Sequence, residues 1–339
     1  MSKELSFQLA QNYLTNFFFL KFNKNHKLKP FFFTHYPTLK CNFNCTYCPF
    51  PKSKTDIEAF KELDTGDTIK LMQILYRESP YIYFTGGEPL LRNDIIEIVR
   101  ASKQLGFKSI SINTNMSLIH QKMEILDDIS NLVASLDVWE DETNCRLQGV
   151  PSSMVQKAKN NMIACSKLQK EKNFLMTINC VITPDTVGDV RQVMEFCFLH
   201  SIRFAPVPAV LEDGRFDSRL KNSEEYGRLI KDILEAKKKG RPVFGSFRYL
   251  DTIYDFKRFE CYPTLTPHIY PDGSLFYPCQ PLMMVAANLL DTGSYRKALA
   301  RGIEKFGPLP MCAGKCHKAC YIEPSNYIKN PFLLIKERI

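Results

Sequence analysis

Phe31-Phe-Phe-Thr-His-Tyr-Pro-Thr-Leu39-Lys40-Cys41-Asn-Phe-Asn-Cys45-Thr-Tyr-Cys48 sets three thiols, at gaps of three and two residues, directly behind an apolar run. Aromatic and β-branched residues dominate Phe31–Leu39, which reads as a strand. Outward from it, similar strand candidates recur at Tyr81–Thr85, Ser109–Asn113, Leu132–Leu136, Phe174–Ile182 and Ile202–Val207. Segments of helical periodicity separate them: Thr68–Arg77, Asp94–Leu105, His120–Ile129, Ser153–Lys170 and Val187–His200, with Glu224–Lys238 after the sixth strand. Strict alternation implies parallel strands with helices outside. Six units rather than eight predict an α/β fold, a partial (β/α)6 TIM-type barrel that stays open, with a small Cys-rich C-terminal extension. Such folds put their chemistry at the carboxyl ends of the strands, where the three thiols fall.

The expected organisation is an N-terminal amphipathic helix and basic linker over 1–30, the barrel over 31–250, and the extension over 251–339. Phe7, Ala10, Tyr13, Leu14, Phe17 and Phe18 share a broad apolar face, and Lys21, Lys24, Lys27 and Lys29 follow. That pattern suits a helix packed on the main domain with a solvated basic loop, or a peripheral contact with a membrane surface. From about 251 the alternation stops, and Pro, Tyr, Phe and Cys become frequent.

The 339 residues are 45% hydrophobic and 24% charged, which excludes a disordered chain. No apolar run is long enough to span a bilayer, and the first residues lack the blocks of a secretory signal, so a cytoplasmic setting is the expectation. The net charge is +9, and residues 1–40 hold six lysines against one acid, which favours an anionic partner or surface. The basic residues lack the interleaved aromatic platform of a nucleic-acid binder, so nucleic acid is not the expected partner.

Twelve cysteines are many for a reducing compartment, where disulfides are rare. Cys145, Cys165, Cys180 and Cys197 stand singly and read as small buried hydrophobes. Cys41, Cys45 and Cys48 cluster, as do Cys261, Cys279, Cys312, Cys316 and Cys320, and clustered thiols read as metal ligands. Three thiolates on one loop can hold three irons of a cubane and leave the fourth open to another ligand; four would saturate it. A zinc site is the alternative, but zinc pairs favour two-residue gaps with a second pair nearby.

With these residues in view, Cys41-x3-Cys45-x2-Cys48 behind a first strand, with Tyr47 before the last thiol, resembles the signature of the radical S-adenosylmethionine (SAM) superfamily. The resemblance implies a [4Fe–4S] cluster whose open iron binds the amino and carboxylate groups of SAM. An electron then releases methionine and a 5′-deoxyadenosyl radical, which abstracts a hydrogen atom from an organic substrate. A donor such as flavodoxin or ferredoxin would supply the electron. Tyr83-Phe-Thr-Gly86-Gly87-Glu88-Pro89 is similar to the family's Gly-Gly-Glu-Pro motif, which assigns Gly86, Gly87 and Glu88 to the SAM ammonium. By the same resemblance Asn113, within Ser111-Ile-Asn113-Thr114-Asn115, lies near SAM or substrate. Ser135 of Ser135-Leu-Asp137, with Arg146, would grip the SAM carboxylate, an oxyanion that arginine pairs bidentately. Asn179 would face the ribose, and residues around Val207 the adenine. Val138-Trp139 stands where the family has a glycine after the aspartate.

Cys261, followed by Ile269-Tyr-Pro-Asp-Gly273-Ser-Leu-Phe-Tyr-Pro-Cys279, reads as a thiol and a hairpin with a tight Asp-Gly turn. It resembles the SPASM and twitch extensions, which bind auxiliary clusters. The Gly-to-Cys gap is one residue longer here, and Cys312-x3-Cys316-x3-Cys320 departs from the SPASM spacing. Five thiols cannot ligate two cubanes, so one auxiliary [4Fe–4S] cluster is implied, held by Cys261 and Cys279 with two of Cys312, Cys316 and Cys320. Zinc with His317 is the alternative.

Three functional classes follow. One is modification of a small molecule or lipid, favoured by the aromatic, basic N-terminus and the apolar Pro331–Ile335. Another is maturation of a ribosomally made peptide, weakened by the short stretch before the first strand. The last, a non-catalytic electron-transfer protein, conflicts with the open triplet.

Overall fold

The structure, a computed structural model, describes residues 3–22, 24–48, 60–211, 213–308 and 316–329. Helix α1 (Lys3–Lys21) leads into β1 (Phe33–Thr38), then α2 (Thr65–Tyr76), β2 (Tyr81–Gly86), α3 (Ile95–Leu105), β3 (Ser109–Thr114) and β4 (Asn131–Ser135). Next come α4 (Asp141–Gln148), α5 (Ser152–Leu168), β5 (Leu175–Ile182), α6 (Val190–Leu199), β6 (Arg203–Pro208), α7 (Glu224–Lys238) and α8 (Phe247–Asp255). The C-terminal part holds β7 (His268–Ile269), β8 (Ser274–Tyr277), β9 (Met284–Asn288), α9 (Tyr295–Phe306) and α10 (Ala319–Lys329).

The strands form one sheet in the order β6-β5-β4-β3-β2-β1-β7-β8-β9. The first six are parallel and follow chain order, as the alternating sequence requires. Strand β6 does not return to β1, whose free edge is taken by β7 through Thr34↔His268 and His35↔Ile269. The barrel is therefore open, and its opening is flanked by the C-terminal hairpin. Asp272 and Gly273 make the hairpin turn: the Asp272 carboxylate accepts from Ser274 N at 2.9 Å, and Gly273 has φ +83°.

Register divides each strand into two faces. Phe33, Ile82, Phe84, Ile110, Ile112, Leu132, Ala134, Met176, Ile178 and Phe204 belong to one buried core with Leu71, Ile95, Ile98, Val193 and Ile230 of the covering helices. The opposite, inward face carries Thr34, Tyr83, Thr85, Ser111, Asn113, Asn131, Ser135, Thr177 and Asn179. Parallel strands covered on both faces usually read as continuous apolar runs. Here the inward face is polar and cross-linked: Asn131 Nδ2 donates to Ser109 and Ser111 Oγ at 3.2 and 3.1 Å, and Asn113 Nδ2 to Thr85 Oγ1 at 3.3 Å.

Three elements differ from expectation. The segment His120–Ile129 forms two 3-10 turns, Ile119–Gln121 and Met123–Asp127, instead of an α-helix. Helix α4 was not expected, because its sequence Asp-Glu-Thr-Asn-Cys-Arg-Leu-Gln has no apolar stripe; Glu140 caps it by accepting from Glu142 N and Thr143 N at 2.8 and 2.6 Å. Helix α8 straddles the expected boundary at 250, and α9 and α10 give the extension more regular structure than its composition suggested.

Helix α1 packs through Tyr13, near Phe31, Leu265 and Ile328, and through buried Asn16. The Asn16 amide closes a two-point clasp on Lys29, donating to its carbonyl at 2.9 Å and accepting its N–H at 2.7 Å. Leu14, Phe18 and Phe22, at 60%, 57% and 65% exposure, point outward with Phe17. No described helix is long and apolar enough to cross a membrane. Asn16→Ala leaves both Lys29 backbone groups unpaired and should cost about 1–3 kcal/mol locally. Amide exchange should accelerate across α1 and 24–29 while the barrel strands keep their protection.

Candidate active site

The thiol loop leaves β1 at the carboxyl end of the sheet and is fastened at both sides. On one side Asn44 N and Thr46 N donate to the Gln148 and Leu147 carbonyls at 2.9 Å each, so the loop consumes the otherwise unpaired carbonyls that end α4. Gly149 permits this dock: it has φ +63°, and a Cβ there would stand 2.9 Å from Asn44 O. On the other side Asn42 donates to Ser117 Oγ at 2.9 Å and accepts from Asn115 Nδ2 at 2.8 Å, tying the loop to the exit of β3.

Gly86 and Gly87 carry the chain leaving β2 against the chain leaving β1. A Cβ on Gly86 would lie 2.5 Å from Thr38 O, and one on Gly87 2.0 Å from Lys40 O. Gly87 N and Glu88 N donate to those carbonyls at 3.0 and 2.8 Å. Both glycines are thus required by backbone proximity whatever they touch beyond it. Glu88 is buried, and its carboxylate accepts from Leu90 N at 3.0 Å and Asn115 N at 2.7 Å. Burial pushes its pKa up to about 7, opposed by the bonds from Asn115 and Leu90 and by Lys122.

Asp137, fully buried, accepts from the Tyr47 hydroxyl and from Val181 N at 2.7 Å. Burial raises its pKa to about 6, while those two bonds hold it down. Tyr47 therefore anchors the thiol loop to the β4 and β5 exits. Neighbouring Val138 is fully buried, and Trp139 packs against Phe196.

Cys41 and Cys45 resist ionisation. Burial first, and then Glu88 and Cys48, push Cys41 up to about 11; burial, Asp137 and Cys48 push Cys45 up to about 12. No cation among the described residues offsets this, so a positively charged iron centre is what would hold them as thiolates. Among the described residues no three potential ligands converge on a single metal ion.

Of the other expected residues, Ser135 and Asn179 are register partners at the carboxyl ends of β4 and β5. Asn113 lies one inward position deeper, and its Oδ1 is buried without a partner. Arg146 does not join them: it is exposed on α4 and donates to Thr143 on its own helix at 3.3 Å. The unexpected turn is the cause, since α4 orients the residue by helical phase rather than by sequence distance from Ser135. Asn42, Asn115, Ser117 and Asp137 were not assigned roles from sequence, although Asn42, Asn115 and Asp137 stood in the quoted motifs.

At the C-terminal side Cys279 and Cys316 cluster with Tyr321, Cys261 and Cys320, so four of the five expected thiols share one locus; Cys312 lies outside the described residues. Gly214 keeps the loop after β6 close, since a Cβ there would meet Cys316 Sγ at 2.7 Å. His268 connects this locus to the barrel interior: its Nδ1 pairs with Tyr36 Oη at 2.6 Å, and its Nε2 lies 3.9 Å from Cys320 Sγ. His317 instead approaches the Phe256 carbonyl through Nε2 at 3.0 Å.

Glu88 sets a pH signature in the cofactor-free protein. Its folded pKa of about 7 exceeds the ordinary value near 4.5, so the native state holds this proton more tightly than the unfolded chain. Its contribution to stability is present below about pH 4.5 and is lost as pH rises through about 7. Glu88→Gln should flatten that loss, and denaturant melts of both proteins from pH 4.5 to 8 should diverge across this interval.

Residues 36–197 match the family model described as Radical SAM superfamily. A "Probable GTP 3′,8-cyclase" of Methanococcus aeolicus is 29% identical over 220 residues, 60% of this chain and 70% of that protein. Streptococcus suis SuiB bound to S-adenosylmethionine superposes with TM-score 0.61 at 21% identity, covering 94% of this chain and 75% of that one. The structure of anSMEcpe with bound AdoMet gives TM-score 0.60 at 18% identity, covering 91% and 99%. At these identities the two structures establish the shared fold. The family match runs from β1 through β5 and carries the thiol loop, Gly86–Glu88 and Asp137, and the protein is a radical SAM enzyme, of the superfamily that uses a [4Fe–4S] cluster and S-adenosylmethionine.

Proposed function

We propose that this enzyme modifies a polar small molecule inside the open barrel, with Cys41, Cys45 and Cys48 holding the SAM-cleaving cluster. The observation that carries the substrate class is the inward face: Thr, Ser, Asn and Tyr side chains line the strands beneath the thiol loop. An aliphatic lipid would leave the remaining hydrogen-bonding capacity of these groups unanswered, so this reading favours a polar molecule over a lipid. The relative named as a GTP cyclase supports a polar substrate. SuiB with its precursor peptide SuiA keeps peptide modification as the second reading.

When bound, the cluster and SAM supply a 5′-deoxyadenosyl radical able to remove a hydrogen atom from carbon. The chain's own residues do the rest in this reading. Tyr47 and Asp137 fix the thiol loop, and Glu88, at the β2 exit, offers remaining lone pairs to an ammonium. Ser135 and Asn179 present donors and acceptors one layer above Asn113. Arg146 would have to swing from Thr143 to reach a carboxylate. Residues 251–339 form the auxiliary unit, with Cys261, Cys279, Cys316 and Cys320 as the ligand set and Cys312 in reserve. An external donor such as flavodoxin or ferredoxin supplies the electron.

Anaerobic protein reconstituted with iron and sulfide, given dithionite and SAM, should form 5′-deoxyadenosine. Cys41→Ala, Cys45→Ala and Cys48→Ala should each abolish it, by at least about a hundredfold. Full activity in the triple variant would refute the assignment.

The outward stripe of α1 is a separate matter. Leu14, Phe17 and Phe18 of α1 and Phe22 just past its end are exposed, with exposed Lys21 and Lys24 beside them, the composition of an interfacial segment at an anionic lipid surface. Full-length protein should float with phosphatidylglycerol vesicles and not with phosphatidylcholine alone. Phe17→Ser with Phe18→Ser should abolish flotation; equal flotation would refute the contact.

A further inference from the structure

Along the inward face of the six parallel strands, one described side chain is charged, that of Arg203. It opens β6, and the register runs laterally from it through Thr177 and Val133 to Asn113. That row lies two residues below the row of Ser135 and Asn179, a drop of about 7 Å. Arg203 therefore sits beneath the SAM-side rim and faces the same interior.

Its surroundings do not neutralise it. Nε donates to Thr177 Oγ1 at 3.0 Å, and the guanidinium lies 5.1 Å from the centre of the Phe244 ring. Tyr327 is nearby, but its hydroxyl donates to Glu323. Glu323 in turn accepts from Ser246 N and Oγ. Among the described residues no carboxylate pairs with Arg203, although the other arginines near it in sequence, Arg191 and Arg215, each have one. Burial lowers its pKa from the ordinary arginine value, yet arginine keeps its charge in proteins.

A largely buried cation without a counter-ion is costly, and one neutral acceptor and one ring face return only part of that cost. The cost is understandable if the counter-ion arrives with a ligand. One detail agrees. Among the described residues the terminal nitrogens of Arg203 have no hydrogen-bond acceptor, and they are not sealed from the surroundings. A planar guanidinium with its Nε fixed by Thr177 and its terminal nitrogens free suits an oxyanion.

We propose that Arg203, oriented by Thr177, is the substrate's oxyanion subsite, so that the molecule modified here carries a carboxylate or phosphate group seated one inward layer below Ser135 and Asn179. This deepens the radical SAM reading and rests on it for the chemistry above the subsite. Nothing in the anion's own recognition requires the cluster.

Reconstituted, anaerobic holoenzyme with SAM should be titrated calorimetrically with inorganic phosphate and, separately, with acetate at matched ionic strength. Wild type should bind at least one of them saturably. Phosphate alone would indicate a phosphorylated substrate, and acetate, alone or with phosphate, a carboxylate. Arg203→Gln should weaken the binding at least tenfold, and Arg203→Lys less, because it keeps the charge but not the fork. If the glutamine variant does not fold, Thr177→Val must weaken binding instead, since it releases Nε. Failure of wild type to bind either anion, or equal binding by the variants, would overturn the proposal. Loss of 5′-deoxyadenosine formation by wild type would instead sink the radical SAM reading, so the two failures are separable.

Discussion

The site depends on a backbone contact that no side chain could replace. The chain leaving β2 presses against the chain leaving β1 so closely that any Cβ at Gly86 or Gly87 would enter the Thr38 or Lys40 carbonyl. That contact fixes where Cys41 begins and where Glu88 points. Glu88 then reaches the β3 exit, whose Asn115 and Ser117 hold Asn42 back on the thiol loop. Tyr47 and Asp137 complete the circuit through β4 and β5. Five strand ends are thereby tied to one loop, and the three thiols inherit their position from backbone geometry and buried polar bonds. Buried polar networks of this kind rigidify when satisfied, which is what a cofactor cradle requires.

The same economy shapes the interior. Helices seal the apolar face of the sheet, so the stability of the barrel does not need the inward face to be apolar as well. That face is free to carry serines, asparagines, threonines and a lone arginine. The open edge, occupied by β7, brings His268 and the C-terminal thiols alongside this polar interior. An opening in the barrel and a second thiol locus are thus one structural fact.

Much of the fold was legible because the βα alternation is regular and each strand is short and strongly patterned. Glu224–Lys238 coincides with the helix observed, since an apolar stripe, a Ser223 cap and terminal lysines agree there. The misreadings have physical causes. Asp141–Gln148 is a helix held by a cap and by its docking to the thiol loop, and a tertiary contact leaves no periodicity to read. His120–Ile129 has apolar residues at helical spacing, yet it turns too tightly between β3 and β4 for an α-helix. The thiol loop and the Gly-Gly-Glu-Pro turn follow β1 and β2, where the sequence places them. Arg146 stands exposed on α4, its direction set by the phase of a helix whose sequence carries no apolar stripe. The alternation Ser109-Ile-Ser-Ile-Asn113 carries a trace of the polar interior that the strand assignment alone did not use, since a strand apolar on both faces would read as a continuous apolar run.

The central claim is that three thiols leave one iron of the cluster available to the sulfonium cofactor. Electron paramagnetic resonance of the anaerobically reduced protein, recorded with and without S-adenosylmethionine, tests it most directly. The account predicts that the cofactor alters the cluster signal in wild type, and that the change is absent when Cys41, Cys45 and Cys48 are replaced while a C-terminal iron signal remains. A reduced cluster signal in wild type that stays the same on adding the cofactor would contradict it.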